Sequence, residues 1–177
     1  MGLNVEFKFI TSEEFGPIIK KWRPVVFDES KDVILENLYT DEEKEKLYSL
    51  ANNMQQDLRM YLIALVDGEI AGWSWGFQKS RAEFYMCNSA VLSQFRNQGI
   101  YTKMVEKVLE KACSLGFQEI TSKHHACNND VLIPKLKKGF MISGFEINAR
   151  FGMMVNLLYL PNKKVEAIYQ QRIGFKK

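Results

Sequence analysis

A strand-like segment, a polar turn and an amphipathic helix follow one another without interruption between residues 87 and 105. Apolar side chains after the turn recur at the i, i+3, i+4 and i+7 spacing of a helix with one buried face, namely at Tyr101, Met104, Val105, Val108, Leu109, Ala112 and Cys113. Gly116 supplies a residue at which such a helix ends. Because the strand turns directly into the helix, the first helical N–H groups lack partners and point back into the turn.

The turn has the features of an anion site. Unpaired N–H groups and the positive end of the helix dipole attract phosphate. Gly99 lets a ligand approach the backbone, and Arg96 adds a permanent positive charge. The turn lacks the repeated glycines of a dinucleotide-binding fold and does not match the GxxxxGK(S/T) phosphate loop. The turn therefore predicts a phosphate-bearing ligand without identifying it.

Two motifs resemble the landmarks of the GNAT superfamily of acyl-CoA N-acyltransferases. The run RNQGIY at residues 96–101 is similar to the R/Q-x-x-G-x-G/A signature of that family. Val91 stands where the family usually has an aliphatic residue that closes its fourth strand. Asn128, followed by KKGF at residues 137–140, resembles the second landmark, an Asn before a helix that ends in a Gly-Phe pair. The resemblance is clearest from about residue 61 to residue 159.

The resemblance implies a fold and an activity. The fold would be of the α/β (α+β) type, a central mixed, mostly antiparallel sheet of about six or seven strands with helices on both faces. One domain would span residues 1–177, with helices over about 12–56 on the acceptor side, a coenzyme A-binding core over about 61–160 and an extension over 161–177. The activity would be transfer of an acetyl group from acetyl-CoA to a primary amine of a small molecule or protein. A non-catalytic acyl-CoA sensor or interaction module, and a related scaffold that binds no coenzyme A, remain alternatives.

The resemblance also implies which residues bind acetyl-CoA. The N–H groups from Gln98 to Thr102 would hold the pyrophosphate, and the pantetheine arm would pair with the strand ending at Val91. Asn128 would contact the arm or the adenine-side phosphates. Tyr101 stands where the family usually has Gly or Ala, and its place in the first helical turn lets the side chain point away. The expected cofactor-binding residues are Val91, Ser93, Arg96, Asn97, Gln98, Gly99, Ile100, Tyr101, Thr102 and Asn128.

Three residues on the strand before the turn are candidates for catalysis, because a base of the family often lies there. Glu83, Tyr85 and Cys87 share strand parity with Val91, so in a regular strand all of them project to one face. Glu83 is the only carboxylate of the three and would act as a base directly or through a water, or else lie solvated at the strand start. Cys87 is either an acyl-accepting nucleophile or, as we favour for a cysteine in an apolar strand, simply buried.

Lys135 stands four residues before the Gly of the Gly-Phe pair, where the family usually has a tyrosine acid. A lysine is able to donate a proton, but beside two further lysines it is expected to be a solvated or phosphate-facing charge. A tyrosine general acid is therefore not predicted. His124, His125 and Cys127 crowd one strand end without an evident fourth ligand, so no metal site is predicted. Either histidine would border the cleft and accept a proton or, as we favour, be a polar loop residue.

Composition and charge limit the compartment and the partners. With 46% hydrophobic and 25% charged residues, the 177-residue chain has the balance of a soluble globular protein. A net charge of +3 is too small to predict nucleic-acid binding, and no apolar run is long enough to predict a membrane helix. Three cysteines without paired spacing predict reduced thiols in the cytoplasm. A homodimer is left open, because an exposed final strand would either pair across two copies or be covered by a terminal helix.

Capping patterns predict the N-terminal helices. Thr11 and Glu14 form a capping box for the first helix, whose regular part is expected to begin late, with Pro17 in its first turn. Thr40 and Glu43 predict a capping box for a later helix. The inner face of that helix is expected to consist of Leu47, Leu50, Ala51 and Met54.

Turns and alternation predict the remaining elements. Asp67 and Gly68 are typical of a type I′ turn between strands over 61–66 and 69–77. A strand–helix–strand unit built around the helix after residue 99 predicts two parallel strands, over 83–91 and 118–124. Further strands are expected over 5–10, 141–149 and 153–160, and further helices over 31–39, over 129–138 and around Val165, Ile168 and Tyr169.

Aromatic side chains alternate along the second strand of this hairpin, at Trp73, Trp75 and Phe77. Alternation places them on one face. That face is either an aromatic wall for the acceptor substrate or, as we favour, a core face packed against a helix.

Overall fold

The computed structural model describes residues 4–27, 35–52 and 58–174. The strands of these residues form one seven-stranded sheet in the order β1-β2-β3-β4-β5-β7-β6. They are β1 (Val5–Ile10), β2 (Arg59–Val66), β3 (Glu69–Gln78), β4 (Glu83–Val91), β5 (Glu119–His125), β6 (Met141–Asn148) and β7 (Gly152–Tyr159). The described α-helices are α1 (Ser12–Val26), α2 (Asp41–Asn52), α3 (Ile100–Ser114), α4 (Asn129–Lys137) and α5 (Lys163–Arg172), and 3-10 turns span Leu35–Leu38 and Ser93–Phe95.

The sheet is mixed but mostly antiparallel. β4 and β5 pair in parallel, whereas β1–β2, β2–β3, β3–β4, β5–β7 and β6–β7 pair antiparallel. Parallel neighbours need a crossover connection, and α3 supplies it between β4 and β5. The predicted strand–helix–strand unit and the predicted mixed sheet are therefore both confirmed.

Apolar side chains cover both faces of the sheet. One face packs on α3, whose Met104, Val105 and Val108 are buried against the strands. The other face, around Trp73, is covered by α1 through Phe15. Since each layer removes apolar surface from water, helices on both faces are the arrangement that the predicted fold class requires.

The two predicted turn signals behave as expected. Asp67 and Gly68 adopt positive φ values of 50° and 85°, which is the geometry of a type I′ turn between β2 and β3. Gly116, at φ 93°, follows the C-cap residue of α3. Both sites need a left-handed backbone, and glycine adopts it without steric cost.

The first helix begins earlier than predicted. Thr11 N donates to Glu14 Oε2 at 2.8 Å and Glu14 N donates to Thr11 Oγ1 at 3.3 Å, so the capping box forms and α1 starts at Ser12. Pro17 lies inside the helix. The prediction of a late start is wrong because this proline leaves one carbonyl unpaired in the first turn, which is exposed to solvent and tolerates the loss.

The helix α2 is capped as predicted but lacks the predicted inner face. Thr40 N donates to Glu43 Oε2 at 2.7 Å, and Glu43 N donates back to Thr40 Oγ1 at 3.3 Å. Leu47 and Leu50 are 45% and 64% exposed, so the prediction that they are buried is wrong. The side chain of Ala51, all of Met54 and residues 31–34 of the predicted short helix lie outside the described residues.

The last strands form the predicted antiparallel pair, but β7 inserts between β5 and β6. The strand at the edge of the sheet is therefore β6 and not the final strand. α5 confirms the predicted terminal helix, with Val165 and Ile168 largely exposed. None of the helices in the described ranges is long and apolar enough to cross a membrane.

Candidate functional site

The parallel strands β4 and β5 separate after three residue pairs. The last pair joins Tyr85 and Thr121, although β4 continues to Val91. Beyond that pair, the β5-facing backbone groups of β4 have no strand beside them in the described chain. An open strand edge of this kind accepts an extended ligand as an added strand.

A β-bulge interrupts β4 within the open part. Trp75 pairs with Asn88, but the next residue, Gly76, pairs with Met86. Cys87 is therefore the extra residue of the bulge. Side chains that follow a bulge change faces relative to those that precede it.

The bulge contradicts the expectation that Glu83, Tyr85 and Cys87 project to the same face as Val91. Val91 packs against the apolar cluster under α3. Tyr85 and Cys87 instead line a large cavity. The parity prediction is wrong because pairing with β3 sets the bulge, and the alternation of one strand does not reveal it.

The loop between β4 and α3 presents backbone donors without a side-chain cap. Asn97 and Gly99 adopt positive φ values of 60° and 76°, and the N-cap residue Gly99 makes no side-chain hydrogen bond to α3. Arg96 Nε donates to the Val91 carbonyl at 3.1 Å, which fixes the guanidinium beside the strand end. A Cβ atom on Gly99 would meet no described heavy atom within 4 Å, so the space before the helix is open. This geometry suits an anion.

Two adjoining cavities meet at the gap between β4 and β5, and together they form what we call the central cleft. The larger has a volume of about 1160 Å³, and the smaller, in front of α3, has about 580 Å³. Both are lined by Phe27, Ser89, Tyr101, Asn128 and Val131. The structure brings most of the expected cofactor-binding residues into the smaller cavity, namely Val91, Arg96, Asn97, Gly99, Ile100, Tyr101, Thr102 and Asn128.

Two of the expected cofactor-binding residues lie beside this cavity rather than in its lining. Ser93 belongs to the 3-10 turn after β4, and its hydroxyl donates to Gln94 Oε1 at 3.4 Å. The side chain of Gln98 donates to the Gln94 carbonyl at 3.3 Å. A contact from Gln98 to a ligand would therefore come from its backbone.

Tyr101 turns its side chain into the central cleft. It packs against the apolar cluster under α3, and it lines both cavities. Its hydroxyl is buried and meets no hydrogen-bond partner among the described residues, and burial raises the pKa of the phenol. The expectation that this side chain points away is wrong, because the first turn of α3 faces the gap in the sheet. A buried hydroxyl without a partner destabilises the fold, so it favours a ligand that completes the bond.

Glu83 is engaged by its neighbours. Its Oε1 accepts hydrogen bonds from Lys79 Nζ at 2.8 Å and from Thr121 Oγ1 at 2.6 Å. Burial raises the pKa of this carboxyl, but the two hydrogen bonds and the charge of Lys79 outweigh burial and hold the pKa below its usual value. The carboxylate is therefore ionised and weakly basic, and it lies outside the residues that line the larger cavity.

Tyr85 and Cys87 face the larger cavity. Burial is the largest cause that raises the pKa of Tyr85 to about 12 and the pKa of Cys87 to about 11. Both groups keep their protons at neutral pH. Their protonated states suit contact with a substrate or donation of a hydrogen bond better than the role of base or nucleophile.

Stacked aromatic rings form one wall of the larger cavity. Phe15 stacks on Tyr61 with ring centroids 4.8 Å apart, and Tyr61 stacks on Trp75 at 6.2 Å. Trp73 is instead fully buried and donates its indole N–H to Asn88 Oδ1 at 2.8 Å. Each of the two interpretations of the alternating aromatics therefore holds for one residue of the strand: Trp73 lies in the core, and Trp75 lies in the wall of the cavity.

Lys135 is a buried residue, with 1% of its surface exposed. Its Nζ donates to Ser122 Oγ at 2.8 Å and lies 3.6 Å from Met86 Sδ and 4.9 Å from the ring centroid of Phe140. Burial lowers the pKa of this lysine to about 7. The expectation of a solvated or phosphate-facing charge is wrong, because Lys135 shares the buried face of α4 with Leu132.

A chain of hydrogen-bonded side chains, which the sequence did not predict, begins at this lysine. His124 Nε2 lies 3.1 Å from Ser122 Oγ, and His124 lines the larger cavity. Burial lowers the pKa of His124 to about 3, and the charges of Lys135 and His125 act in the same direction. His124 is thus a largely buried residue of β5 that borders the cleft, which was the less favoured alternative, and not a polar loop residue. The available signal was strand alternation, which places Ser122 and His124 on one face.

The possible metal ligands remain dispersed in the described ranges. No three His, Cys, Asp or Glu residues there gather closely enough to hold a metal ion. Cys87, Cys113 and Cys127 are all free thiols.

Solved structures share this fold. A GNAT-family acetyltransferase from Streptococcus pneumoniae superimposes with a TM-score of 0.66 at 18% identity, over 90% of this chain and 100% of the other. IAA acetyltransferase from Bacillus cereus ATCC 14579 gives 0.64 at 15% identity, over 89% and 99% of the two chains. The ribosomal-protein-S18-alanine N-acetyltransferase from Escherichia coli gives 0.62 at 13% identity, over 88% and 93%. At these identities the likeness shows the fold and not the substrate.

None of the curated proteins matches the chain. The sequence profile of the Acetyltransferase (GNAT) family matches residues 26–140, well over half of the chain. The matched span contains β4, the turn before α3, α3 itself and the Gly-Phe pair that closes the second motif. This chain therefore belongs to the GNAT family of acetyltransferases.

Proposed function

We propose that this protein is an N-acetyltransferase that moves the acetyl group of acetyl-CoA to a primary amine of a small molecule or protein. The observation that carries the proposal is the open edge of β4 beside the uncapped N-terminus of α3. Membership of the family supports acetyl transfer in general. The donor and the class of acceptor are the further steps that we propose.

The residues of the central cleft fit acetyl-CoA at four points. The N–H groups at the start of α3 and the charge of Arg96 suit a pyrophosphate. The open edge of β4 offers backbone groups to the amides of the pantetheine arm. The buried hydroxyl of Tyr101, which has no partner in the described structure, offers a hydrogen bond beside that arm. Asn128 lines both cavities and offers an amide at their junction.

Acetyl-CoA, when bound, supplies the acyl group in an activated thioester. The chain must then hold a neutral amine in line with the carbonyl carbon. The aromatic wall around Trp75 removes water from an amine, which lowers the pKa of the ammonium group. We propose Tyr85 and Cys87 as uncharged contacts of the acceptor. We propose Glu83 as a base that acts through a water, because the carboxylate lies outside the residues that line the larger cavity and its Oε1 is bound by Lys79 and Thr121.

Location and assembly belong to the same proposal. A cytoplasmic location is supported by three free thiols. A homodimer is supported by the edge position of β6, where Phe145 and Ile147 are 67% and 86% exposed. Neither a membrane nor a nucleic acid forms part of the proposal.

A thermal-shift titration with acetyl-CoA tests the proposed donor site. A ligand bound only by the folded state stabilises it by about 2.7 kcal/mol at a hundredfold excess over its dissociation constant. We expect this shift in the wild type and its loss in Gly99→Trp. Gly116→Trp is the matched control, because both glycines have positive φ and open space and they flank opposite ends of α3.

The outcomes separate the alternatives. A shift in the wild type and in Gly116→Trp, but not in folded Gly99→Trp, supports the turn as the donor site. The absence of any shift would overturn the proposal. Binding without turnover of any amine in a broad panel of small amines and peptides would instead favour the non-catalytic sensor.

A further inference from the structure

Lys135 lies at the point where β4 and β5 part. The last pair of these strands joins Tyr85 and Thr121. The residues that follow, Met86 and Ser122, both contact Lys135 Nζ, at 3.6 Å and 2.8 Å. The amine therefore fills the apex of the gap, beneath the open edge of β4.

This position is unfavourable for an amine. No carboxylate lies within ion-pair distance of Lys135 in the part of the chain that the structure describes, and the side chain is 1% exposed. The neighbours that meet its charge are one hydroxyl group, the sulfur of Met86 and the ring of Phe140. Because an apolar side chain of the same length would fill the site without burying a charge, packing alone does not explain a lysine here.

The hydrogen bonds around Ser122 have a defined direction. A charged lysine only donates, so Ser122 Oγ accepts from Lys135 Nζ. The hydroxyl proton of Ser122 is then directed to His124 Nε2, 3.1 Å away. This arrangement leaves the ring proton of His124 on Nδ1. His124 lines the larger cavity, so the chain runs from the buried amine to the cleft.

We propose that Lys135, Ser122 and His124 form a proton path that delivers a proton to the thiolate released by cleavage of the thioester. This inference rests on the proposed function. An N–H bond of Lys135 breaks as Ser122 Oγ gains that proton, the former hydroxyl proton passes to His124 Nε2, and the proton on His124 Nδ1 passes to sulfur. Lys135 becomes a neutral amine and coenzyme A becomes a thiol. Water then recharges the lysine through the same path, while the new amide nitrogen loses its extra proton to water.

Other titratable groups around the cleft do not duplicate this role. Tyr85 and Cys87 on β4 have pKa values raised by burial. Glu146 on β6 forms an ion pair with Lys123 of β5. His125 adjoins His124 at the end of β5 and contributes positive charge that opposes protonation of His124. Lys135 differs from these groups because burial lowers its pKa to about 7.

Two substitutions test the path, and one matched control accompanies them. Ser122→Ala interrupts the chain while leaving both ends in place, and Lys135→Met removes the proton source while keeping the length of the side chain. Ser74→Ala is the control, because Ser74 is also a buried serine of the sheet, 2% exposed, and bonds Ser89 instead. Lys135 acts through Ser122 and His124 and is thus a positioning residue. The measurement must therefore include a pH profile of the reaction, which a purely structural role of Lys135 would not change.

Nuclear magnetic resonance of the ligand-free protein gives a readout that does not depend on turnover. We expect Lys135 Nζ to titrate near pH 7 in the wild type and His124 to carry its proton on Nδ1. Ser122→Ala should remove the preference for this tautomer. Ser74→Ala should leave the titration and the tautomer unchanged.

Steady-state kinetics with the best amine of the panel completes the test. The wild-type kcat should fall as the pH rises through 7, because a neutral Lys135 has no proton to deliver. Ser122→Ala and Lys135→Met should lower kcat by about 100-fold at pH 7 and lose this dependence, with KM for acetyl-CoA changed less than about twofold.

The results distinguish failure of the path from failure of the function. If acetyl-CoA binds and an amine is acetylated, but Ser122→Ala keeps the wild-type kcat and pH profile, the path is overturned and the proposed function stands. If His124 carries its proton on Nε2 in the wild type, the path is overturned on structural grounds. If acetyl-CoA does not bind, the proposed function fails and the path has no thiolate to serve. Should Lys135→Met fail to fold, Ser122→Ala alone carries the test.

Discussion

Tyr101 holds a buried hydroxyl that no described residue satisfies. We expect Tyr101→Phe to weaken acetyl-CoA binding about five- to tenfold, the loss of one hydrogen bond of about 1 kcal/mol. The free energy of unfolding of the ligand-free protein should stay constant or rise, because the substitution removes an unsatisfied polar group. Isothermal titration calorimetry and urea unfolding measure the two effects. Tyr169→Phe, on α5, is the control, and equal affinity in both variants would contradict the assignment.

Trp73 and Trp75 lie two residues apart on β3, and Trp73 belongs to the core whereas Trp75 lines the central cleft. We expect Trp75→Ala to raise KM for the amine acceptor about tenfold while KM for acetyl-CoA stays constant, because the wall that dehydrates the amine is lost. Trp73→Ala should lower the free energy of unfolding by about 3–5 kcal/mol, since Trp73 is fully buried. Substrate kinetics and urea unfolding of both variants check the pair. A larger loss of stability in Trp75→Ala would reverse the assignment.

Single residues were predictable where the backbone imposes a requirement, and less so where tertiary packing decides. Gly99 was expected to leave an open backbone before α3, and it has a φ of 76° with no described heavy atom within 4 Å of a Cβ atom. The direction of Tyr101 and the burial of Lys135 depend on how α3 and α4 lie against the gap in the sheet. Charge and sequence neighbours favoured a solvated lysine, and those signals carry no information about a buried helix face.

Gly76 shows how closely β3 and β4 approach beside the bulge. A Cβ atom at Gly76 would lie 2.3 Å from the Tyr85 carbonyl oxygen and 2.8 Å from the ring of Phe84. We expect Gly76→Ala to lower the free energy of unfolding by about 1–3 kcal/mol, because backbone atoms must shift. Gly144→Ala on β6 is the control, since its Cβ atom would meet Asn156 at an ordinary 3.8 Å. Equal stability of the two variants in urea unfolding would contradict this account.

Whole elements were predicted best where local signals coincide with tertiary need. The type I′ turn at Asp67 and Gly68 joins β2 and β3 as predicted, and the capping boxes predicted at Thr11 and Thr40 both form. The bulge at Cys87 escaped prediction because it arises from pairing between strands and not from one strand. For the same reason the sequence predicted β4 and β5 as parallel neighbours without predicting that they part after three pairs.

At the scale of the whole molecule, the gap between β4 and β5 determines where the central cleft lies. The helix α3 packs on one face against strands on both sides of the gap, whereas α1 packs on the other face against β2, β3 and β4. The gap therefore joins the turn before α3 to the aromatic wall through the sheet rather than over its surface. A ligand that paired with β4 would close the opening, so binding and stability of the whole molecule are coupled.

Lys135 gives this coupling a dependence on pH. Burial lowers the pKa of the lysine to about 7 in the folded protein, from 10.5 in an exposed state. Between these values the unfolded chain binds a proton that the folded chain does not, so this lysine makes the free energy of unfolding increase as the pH rises from 7 to 10.5. Below pH 7 both states are charged, and the destabilisation is complete and constant.

We therefore expect Lys135→Met to be more stable than the wild type, by an amount on the order of 1–4 kcal/mol at pH 7 and below. The difference should shrink as the pH rises toward 10, because the folded wild type then holds the lysine neutral and loss of its proton costs less as the pH approaches the 10.5 of the exposed lysine. Lys137→Met, an exposed lysine of the same helix, should show no such dependence. Urea unfolding of the three proteins between pH 6 and about 10 measures the effect. A stabilised variant that also loses its kcat would show that the lysine serves the reaction although it destabilises the fold. A destabilised Lys135→Met would instead mean that the neighbours of the buried amine compensate for its burial.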